Sequence, residues 1–404
     1  MVLSIGGGAR KFSGNAIISG MSFHYDIIIF GGGIAGLYTA SRLRRAGYNL
    51  ILIEKGTLGG AQTLASQGMI HGGQKYGLGG AVTGHSQSMA EMPARWDACF
   101  ADSGEGDVDL SRVKFLSNTQ LMFPAASFIS VAMVHAAVNT ANRPSKKLSR
   151  EQTPDVLTRE PVFEMHEQVL DTKSLVIALA EDLQGRTFCG ELSAISADGQ
   201  LTVSGFNLRA QAAIFTAGAG NENVLTLLGA QGIHTQRRPL RQIMVKPMPE
   251  ALFGHGTSGG IKPRVTITSH PIGANEYVWY LGGNVAEVGA GLSEADALVF
   301  AKKEMSAIFP TVNWDQKLWA TFAIDRAEPF DEEGKLPAGA YVQSRGNCLI
   351  AWPTKMTLVP DLSDKILDWV LQRKLSPSTE TAKPALPDAE IGRYPWESVI
   401  WRRL

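Results

Sequence analysis

One stretch near the start of the chain, residues 25–54, constrains the fold more than any other. It opens with an apolar run, residues 26–30, which is rich in β-branched side chains and is typical of a buried parallel strand. Three glycines with the spacing G-x-G-x-x-G follow, namely Gly31, Gly33 and Gly36. In a strand–turn–helix unit the first glycine permits a tight turn. The second lets a pyrophosphate approach the backbone, and the third lets the helix pack closely on the strand.

The residues after the glycines complete a dinucleotide-binding pattern. A helix-forming run, Leu37–Arg45, leads to a second apolar strand, Asn49–Ile53, which ends at Glu54. An acidic residue about 20 positions beyond the glycines is expected to bind a ribose. The start of the helix, with Ile34 and Ala35, offers free N–H groups to the phosphates. The unit predicts an α/β fold with a Rossmann-like domain, and the alternative is a glycine-rich turn in an unrelated α/β protein.

Composition narrows the class of protein. The chain has 404 residues, of which 44% are hydrophobic and 19% charged, and this length suits two domains. The formal net charge is zero, so no nucleic-acid partner is indicated. The three cysteines, Cys99, Cys189 and Cys348, lie far apart. They form neither a disulfide framework nor a metal-binding pattern, which favours a reducing, cytoplasmic location without a metal site.

Two segments raise the question of membranes and targeting. Residues 1–21 are glycine- and serine-rich without an apolar stretch after Arg10 and Lys11, so we expect a disordered extension rather than a secretory signal. Leu121–Val138 has no acidic or basic residue and reaches the length of a membrane span. Pro124 and His135 argue against spanning, so we expect a buried segment, with peripheral membrane contact as the alternative.

The segment after Glu54 carries a family resemblance. Residues 59–76 are rich in Gly, Ser, Thr and Gln, which suits backbone pressed against a large planar ligand. The segment resembles the stretch that follows the ribose-binding Glu in the flavin-dependent amino-acid oxidase superfamily, which includes D-amino-acid oxidase and glycine oxidase. Residues 70–73, Ile-His-Gly-Gly, resemble in particular the glycerol-3-phosphate dehydrogenases, and more loosely the L-2-hydroxyglutarate dehydrogenases. In these relatives the stretch follows the FAD ribityl chain to the isoalloxazine.

Two later segments extend the resemblance. An apolar strand, Gln211–Thr216, leads to a small-residue turn that resembles the second glycine turn near the FAD adenosine; an ordinary surface turn is the alternative. Residues 354–357, Thr-Lys-Met-Thr, resemble the Gly-Lys-Leu-Thr loop that caps the pyrimidine end of the flavin and leads into a helix, expected here at Ser363–Leu375. Pro353 and Thr354 replace two glycines of those relatives.

The motif and the resemblance together imply FAD, and a non-covalent link is expected because no cysteine lies in residues 59–76. The cofactor-binding residues that they imply are Gly31, Gly33, Ile34, Ala35, Gly36, Glu54, Lys55, Gln62, Thr63, Ser66, Gln67, Gly68, Met69, Ala217, Gly218, Lys355, Met356 and Thr357.

The resemblance also suggests three catalytic residues. His71 would lie beside the flavin as a base, as a group that polarises the ring or, as in some relatives, as a covalent attachment point; a structural histidine is the alternative. Arg326 and Lys355 would hold a substrate anion, Arg by a planar fork and Lys as a point charge. The alternative for both is a surface ion pair, for Arg326 with Glu328 or Asp331. The basic run between residues 237 and 246 indicates a solvated strand face.

These inferences assemble into two domains and one leading function. We expect a discontinuous FAD-binding domain with a parallel sheet (22–90, 170–222, 325–376), a substrate domain with a mixed or antiparallel sheet (91–169, 223–324) and a C-terminal surface tail (377–404). The function is expected to be hydride removal from a C–N or C–O carbon of a small acidic molecule, with an amino acid or amine favoured over a 2-hydroxy acid or glycerol phosphate. Electrons would pass to O2 or a quinone. A flavin monooxygenase and a non-catalytic flavoprotein are the other classes.

Overall fold

A computed structural model describes residues 23–70, 89–101, 103–125, 145–196, 199–258, 262–330, 334, 336–378 and 383–404. The strands are β1 (Phe23–Phe30), β2 (Leu50–Glu54), β3 (Phe115–Ser117), β4 (Gln120–Pro124), β5 (Ser145–Lys147), β6 (Phe163–Met165), β7 (Val169–Leu170), β8 (Thr187–Cys189), β9 (Leu192–Ile195), β10 (Gln200–Val203), β11 (Phe206–Phe215), β12 (His234–Met248), β13 (Gly254–Thr257), β14 (Val265–Gly273), β15 (Glu276–Gly282), β16 (Leu318–Phe330), β17 (Tyr341–Arg345), β18 (Cys348–Trp352) and β19 (Arg402–Arg403). The α-helices are α1 (Ile34–Arg45), α2 (Met92–Phe100), α3 (Thr172–Asp182), α4 (Asn221–Leu227), α5 (Asn284–Gly289), α6 (Glu294–Ile308) and α7 (Val359–Gln372).

The first sheet is built around the predicted opening strand. Its main path runs β17-β18-β11-β1-β2-β8, with β10 and β9 added beside β11. The pairings β18-β11, β11-β1, β1-β2 and β2-β8 are parallel. The outer strands β17 and β10 pair antiparallel with β18 and β11. Ile27, Ile28 and Ile29 are fully buried. Ile27 and Ile29 belong to the core that includes α1, whereas Ile28 belongs to the core that includes α4 and strands β9 and β10. This parallel sheet confirms the predicted Rossmann-like architecture.

The second sheet has nine strands in the order β19-β16-β12-β15-β14-β13-β4-β6-β5, and most of its pairings are antiparallel. Successive side chains of β15 point to opposite faces of this sheet. Trp279 and Leu281 join the core formed with helices α5 and α6, while Val278 and Tyr280 face a separate cluster with Met244. The parallel and the antiparallel sheet together give the predicted mixed α/β fold.

Two boundaries differ from the sequence-based expectation. Strand β16 remains in the second sheet as far as Phe330, whereas the sequence suggested a return to the first domain at residue 325. The last helix, α7, begins at Val359 rather than Ser363, with Pro360 in its first turn. Proline fits there because the first turn of a helix lacks intrahelical N–H partners.

The C-terminal segment, expected as a surface tail, pairs with both sheets. The Cys189 amide donates to the Pro387 carbonyl, and the Ala389 amide donates to the Thr187 carbonyl, which adds the segment to β8 at the edge of the first sheet. Residues 402–403 then form β19 against β16 at the edge of the second sheet. The segment therefore lies along both sheets in turn.

Several expectations concern residues outside those that the structure describes. These include residues 1–21, His71, Asp331 and most of Leu121–Val138, of which residues 121–124 belong to β4. In the described ranges no helix is long and apolar enough to cross a membrane.

Candidate active site

The site begins where β1 ends and α1 starts. Gly31 has φ +106°, which side chains rarely adopt, and a Cβ there would lie 2.7 Å from the Cα of Ala217. At Gly36 a Cβ would lie 1.9 Å from the Gly31 carbonyl oxygen, so helix and strand could not approach as they do. The first and third glycines are therefore required by the protein's own packing.

Gly33 has a different role, because its missing side chain leaves space open. A Cβ there would meet only the hydroxyl oxygen of Thr63, at 3.3 Å. The Ile34 amide donates to that same hydroxyl at 3.0 Å. No acidic residue lies in the first turn of α1, so the positive end of the helix dipole is available to an anion. This is the arrangement expected for a pyrophosphate.

Glu54 lies beside the glycine turn, as the sequence predicted. One carboxylate oxygen accepts a hydrogen bond from the Gly32 amide at 2.6 Å, and the other accepts one from the Gly56 amide at 2.8 Å. These bonds fix the carboxylate at the end of β2. Each oxygen has a second lone pair, so a ribose hydroxyl could still donate to it.

The segment after Glu54 meets both of the later segments that the resemblance implicated. The Ser66 hydroxyl lies 3.9 Å from the Met356 sulfur. The Gln62 side-chain nitrogen lies 3.4 Å from the position of a Cβ at Gly218. The Trp352 indole also donates to the Gly218 carbonyl at 3.3 Å. Three stretches that are far apart in the sequence therefore converge beside α1.

This segment is also bonded to the second sheet. The Gln67 amide nitrogen donates to the carbonyls of Thr266 and Tyr280, both at 3.0 Å. The buried Tyr280 hydroxyl donates to the Ala65 carbonyl at 2.6 Å. Sequence reasoning missed Tyr280, because an alternating apolar strand gives no sign of a polar contact to another domain.

Gly68 and Met69 continue along β7. Gly68 has φ +69°, and a Cβ there would lie 2.3 Å from the Leu170 carbonyl oxygen. Met69 forms an isolated bridge to Val169, and the Ile70 amide donates to the Gln168 carbonyl at 3.0 Å. His71 comes next in the chain, outside the described residues, so its role stays a prediction.

Arg326 lies on β16, directly across from Arg238 on β12. Arg238 is fully engaged, since its Nε and Nη2 donate to the two carboxylate oxygens of buried Glu328, both at 2.6 Å. Arg326 instead contacts Glu287, on α5, through Nη2 at 3.5 Å. Its Nε is buried and has no hydrogen-bond partner within the described part of the chain.

Two residues of the basic run pair with carboxylates, although Arg237 remains half exposed. Arg237 makes a bidentate contact with Glu222 at 2.7 and 2.8 Å, besides the Arg238 pair with Glu328. The proximity of Glu328 in sequence suggested it as the partner of Arg326, and that suggestion is wrong because the strand register gives it to Arg238.

Lys355 precedes the short 3-10 turn Met356–Leu358, which leads into α7. Its Nζ lies 3.6 Å from the Met89 sulfur. The carbonyl of Thr357 accepts from the buried Trp96 indole at 3.0 Å, which fixes the turn against α2. Thr354 has φ +59°, so the loop keeps a left-handed conformation without the glycines of the resembled relatives. Lys355 and Arg326 thus contact different groups.

Comparison with known proteins identifies the family. The family model described as FAD dependent oxidoreductase matches residues 26–328. A probable FAD-dependent oxidoreductase of Pseudomonas aeruginosa is 37% identical over 382 residues, which cover 92% of this chain and 97% of that protein. The chain belongs to the FAD-dependent oxidoreductase family. The amino-acid oxidase resemblance is confirmed, and the protein is an FAD-dependent enzyme.

Solved structures of this oxidoreductase fold agree. The crystal structure of the P. aeruginosa oxidoreductase superposes with a TM-score of 0.80 at 34% identity, over 94% of this chain and 99% of that one. Glycine oxidase from Geobacillus kaustophilus superposes with a TM-score of 0.62 at 18% identity, over 92% of this chain and 100% of that one. L-α-glycerophosphate oxidase from Mycoplasma pneumoniae, with FAD bound, gives 0.60 at 16%, over 92% and 99%.

The residues of this FAD-dependent oxidoreductase fit its cofactor. The open space at Gly33, the unopposed dipole of α1 and the fixed carboxylate of Glu54 suit the pyrophosphate and ribose of a dinucleotide. When bound, FAD supplies the hydride acceptor, while the protein positions the substrate and tunes charge around the ring. Among the described residues no cluster suited to a metal ion is present.

Proposed function

We propose that this oxidoreductase removes a hydride from the carbon that bears the amine or hydroxyl group of a small acidic molecule, with amino acids or amines preferred. Arg326 holds the carboxylate or phosphate of that molecule, and Lys355 assists at the flavin end. His71, which follows the segment anchored by Gln67 and Ile70, is the proposed base or flavin contact.

The state of Arg326 is the observation that carries this proposal. Buried donor atoms normally have an acceptor. The neighbouring Arg238, whose side chain is about as exposed as that of Arg326, gives its Nε and Nη2 to Glu328. Arg326 keeps a buried Nε for which the described residues provide no acceptor, and its neighbouring Nη2 makes one long contact. Nε and Nη2 form the edge of the guanidinium that binds a carboxylate or phosphate by two parallel hydrogen bonds. An acidic substrate would supply the missing acceptors.

The placement of Lys355 supports its assisting role. The turn that it precedes is in contact with Ser66 through Met356, and Ser66 belongs to the segment expected along the flavin. A cation and the start of α7 at this place would favour the negative charge of reduced flavin.

The names of the structural relatives support an acidic substrate class. Glycine oxidase and L-α-glycerophosphate oxidase are both named for small molecules that carry a carboxylate or a phosphate. L-amino acid deaminase from Proteus vulgaris, also similar in fold, is named for amino acids. These relatives are too distant in sequence to choose among amino acids, hydroxy acids and glycerol phosphate, so the choice is left to experiment.

An anaerobic bleaching screen tests the proposal. Amino acids, 2-hydroxy acids, glycerol 3-phosphate and neutral amines are each mixed with the holoenzyme, and loss of flavin absorbance is recorded. With the best acidic substrate, Arg326→Ala should lower kcat/KM by roughly 30-fold to several thousand-fold, from about 2–5 kcal/mol of lost charge-assisted binding. Arg326→Lys should recover little of this, because a point charge cannot replace the fork.

The controls separate the loss of anion binding by Arg326, here called the clamp, from a general loss of structure. FAD content should stay near normal in Arg326→Ala. Arg237 lies on β12, the strand that pairs with the strand of Arg326, and Arg237→Ala breaks its exposed pair with Glu222. This variant should keep wild-type turnover. Full turnover of Arg326→Ala on the best acidic substrate, or a neutral amine as the best substrate, would contradict the clamp. Bleaching by NADPH with no response to any acid would favour a monooxygenase instead.

The acceptor and the cofactor linkage are proposed as follows. Electrons pass to O2 or a quinone, in a cytoplasmic protein that can contact a membrane surface. Formation of peroxide would indicate O2 as the acceptor. Reduction of a soluble quinone analogue would indicate a quinone. FAD is bound without a covalent link, since no cysteine lies in residues 59–76. Acid precipitation should therefore leave the yellow colour in the supernatant, and a yellow pellet would indicate attachment through His71.

A further inference from the structure

We propose that Glu287 lowers the affinity of the anion-binding site for its substrate. It is an internal carboxylate that competes with the substrate for Arg326, and Lys262 binds it when it leaves Arg326. This inference rests on the proposed function, because it takes Arg326 as the group that binds the substrate anion.

The first support is the uneven way in which Glu287 is held. One of its carboxylate oxygens lies 3.5 Å from Nη2 of Arg326, at the outer limit of a hydrogen bond. The other accepts from Nζ of Lys262 at 2.6 Å. Glu287 is therefore bound closely by the lysine and only loosely by the arginine.

The second support is the contrast with the neighbouring arginine. Across the strand pair, Arg238 gives both donors of its edge to one carboxylate, Glu328, whose side chain is only 5% exposed. The Glu287 side chain is 27% exposed and meets Arg326 through a single donor. Glu328 is thus a permanent partner, whereas Glu287 occupies part of an edge that a bidentate anion would need in full.

The third support is the balance of charge. Burial alone would raise the pKa of Glu287, but the hydrogen bond from Lys262 and the charges of Lys262 and Arg326 outweigh it and lower the pKa. Glu287 is therefore ionised at neutral pH and repels an arriving carboxylate. A substrate must displace it from Nη2, and Lys262, 65% exposed, is placed to keep it after displacement.

This arrangement predicts effects of opposite sign at the two residues. Glu287→Gln removes the competing charge and should tighten the binding of a simple carboxylate. Lys262→Met leaves Glu287 with Arg326 as its remaining cation and should weaken that binding. If Glu287 merely oriented Arg326, both substitutions would weaken it.

The test is calorimetric titration of each holoprotein with acetate and with propionate. For Glu287→Gln we expect a Kd about 2- to 5-fold lower than wild type, and for Lys262→Met a Kd about 2- to 5-fold higher, which is the range of a partly exposed ion pair. Two control variants remove the same charges elsewhere: Glu276→Gln at an exposed position of β15, and Lys303→Met at an exposed position of α6. Both should leave Kd unchanged.

The outcomes also separate this inference from the proposed function. If Arg326→Ala binds the two anions as wild type does, or if neither wild type nor Glu287→Gln binds them, both proposals fail. If Arg326→Ala abolishes binding while Glu287→Gln leaves Kd equal or higher, only the role of Glu287 is refuted.

Discussion

Two glycines three residues apart should respond differently to the same substitution. A methyl group at Gly36 would lie 1.9 Å from the Gly31 carbonyl oxygen and 2.7 Å from the Thr216 hydroxyl. A methyl group at Gly33 would meet only the Thr63 hydroxyl, at 3.3 Å. Gly36→Ala should therefore damage the fold, whereas Gly33→Ala should damage cofactor binding.

The structure sets the scale of each effect. Ordinary C···O contacts are about 3.3–3.6 Å, so at Gly36 the helix would have to move away by more than about 1 Å. Overpacking of this kind costs about 3 kcal/mol, the upper part of the usual range. For 404 residues that unfold as one unit, this corresponds to a fall in Tm of roughly 3–4 °C. Gly33 has φ −75° and ψ 178°, which alanine adopts readily, so Gly33→Ala should cost the apoprotein only about 0.5–1 kcal/mol.

The assay measures both quantities on every variant. Thermal unfolding of FAD-free protein, followed by circular dichroism, gives Tm, and quenching of flavin fluorescence gives the Kd for FAD. For Gly33→Ala we expect a Kd raised about 10- to 100-fold, or roughly 1.4–2.7 kcal/mol, with a nearly unchanged Tm. Wild-type FAD affinity in Gly33→Ala, or a wild-type Tm in Gly36→Ala, would refute the reasoning.

Two further predictions concern the second sheet. Tyr280→Phe removes the hydrogen bond to the Ala65 carbonyl and should lower the free energy of unfolding, measured in urea, by about 1–3 kcal/mol. Tyr277→Phe on the same strand should lower it less. An equal loss in both variants would contradict the importance of this hydrogen bond. Burial lowers the pKa of His270 to about 4 from 6.5, so the unfolded chain binds this proton more tightly. The stability that His270 contributes should be full above pH 6.5 and fall by up to about 3 kcal/mol as the pH drops to 4. His270→Phe should make the free energy of unfolding less dependent on pH between 4 and 6.5, whereas replacement of the exposed His234 by Phe should not. The same pH dependence in both variants would contradict the role of His270.

The opening unit was predictable because its signals are local. The strand, the three glycines and Glu54 lie within 30 residues. Gly31 and Gly36 serve the turn and the helix beside them, and Gly33 leaves space open in the same turn. The start of α7 was predicted four residues too late, at Ser363. Pro360 marks the true start, because proline is favoured in the first turn of a helix.

The partners of the charged residues were not predictable in the same way. Arg326 lies two residues from Glu328 but contacts Glu287, 39 residues away, because the register of β12 against β16 gives Glu328 to Arg238. Tyr280 likewise looks like a core residue of β15, and only the docking of the two sheets brings its hydroxyl to Ala65. Such contacts depend on long-range pairing, which a single sequence does not encode in a readable form.

The C-terminal segment that lies along both sheets has a consequence for biosynthesis. An unpaired strand edge is a template on which another chain can aggregate. Residues 387–389 cover the edge at β8, and residues 402–403 cover the edge at β16. In the order of translation, both coverings come after the other strands that the structure describes. While the ribosome is still producing the preceding residues, the nascent protein therefore exposes two open edges, and a truncated product should coaggregate rather than persist as a smaller enzyme.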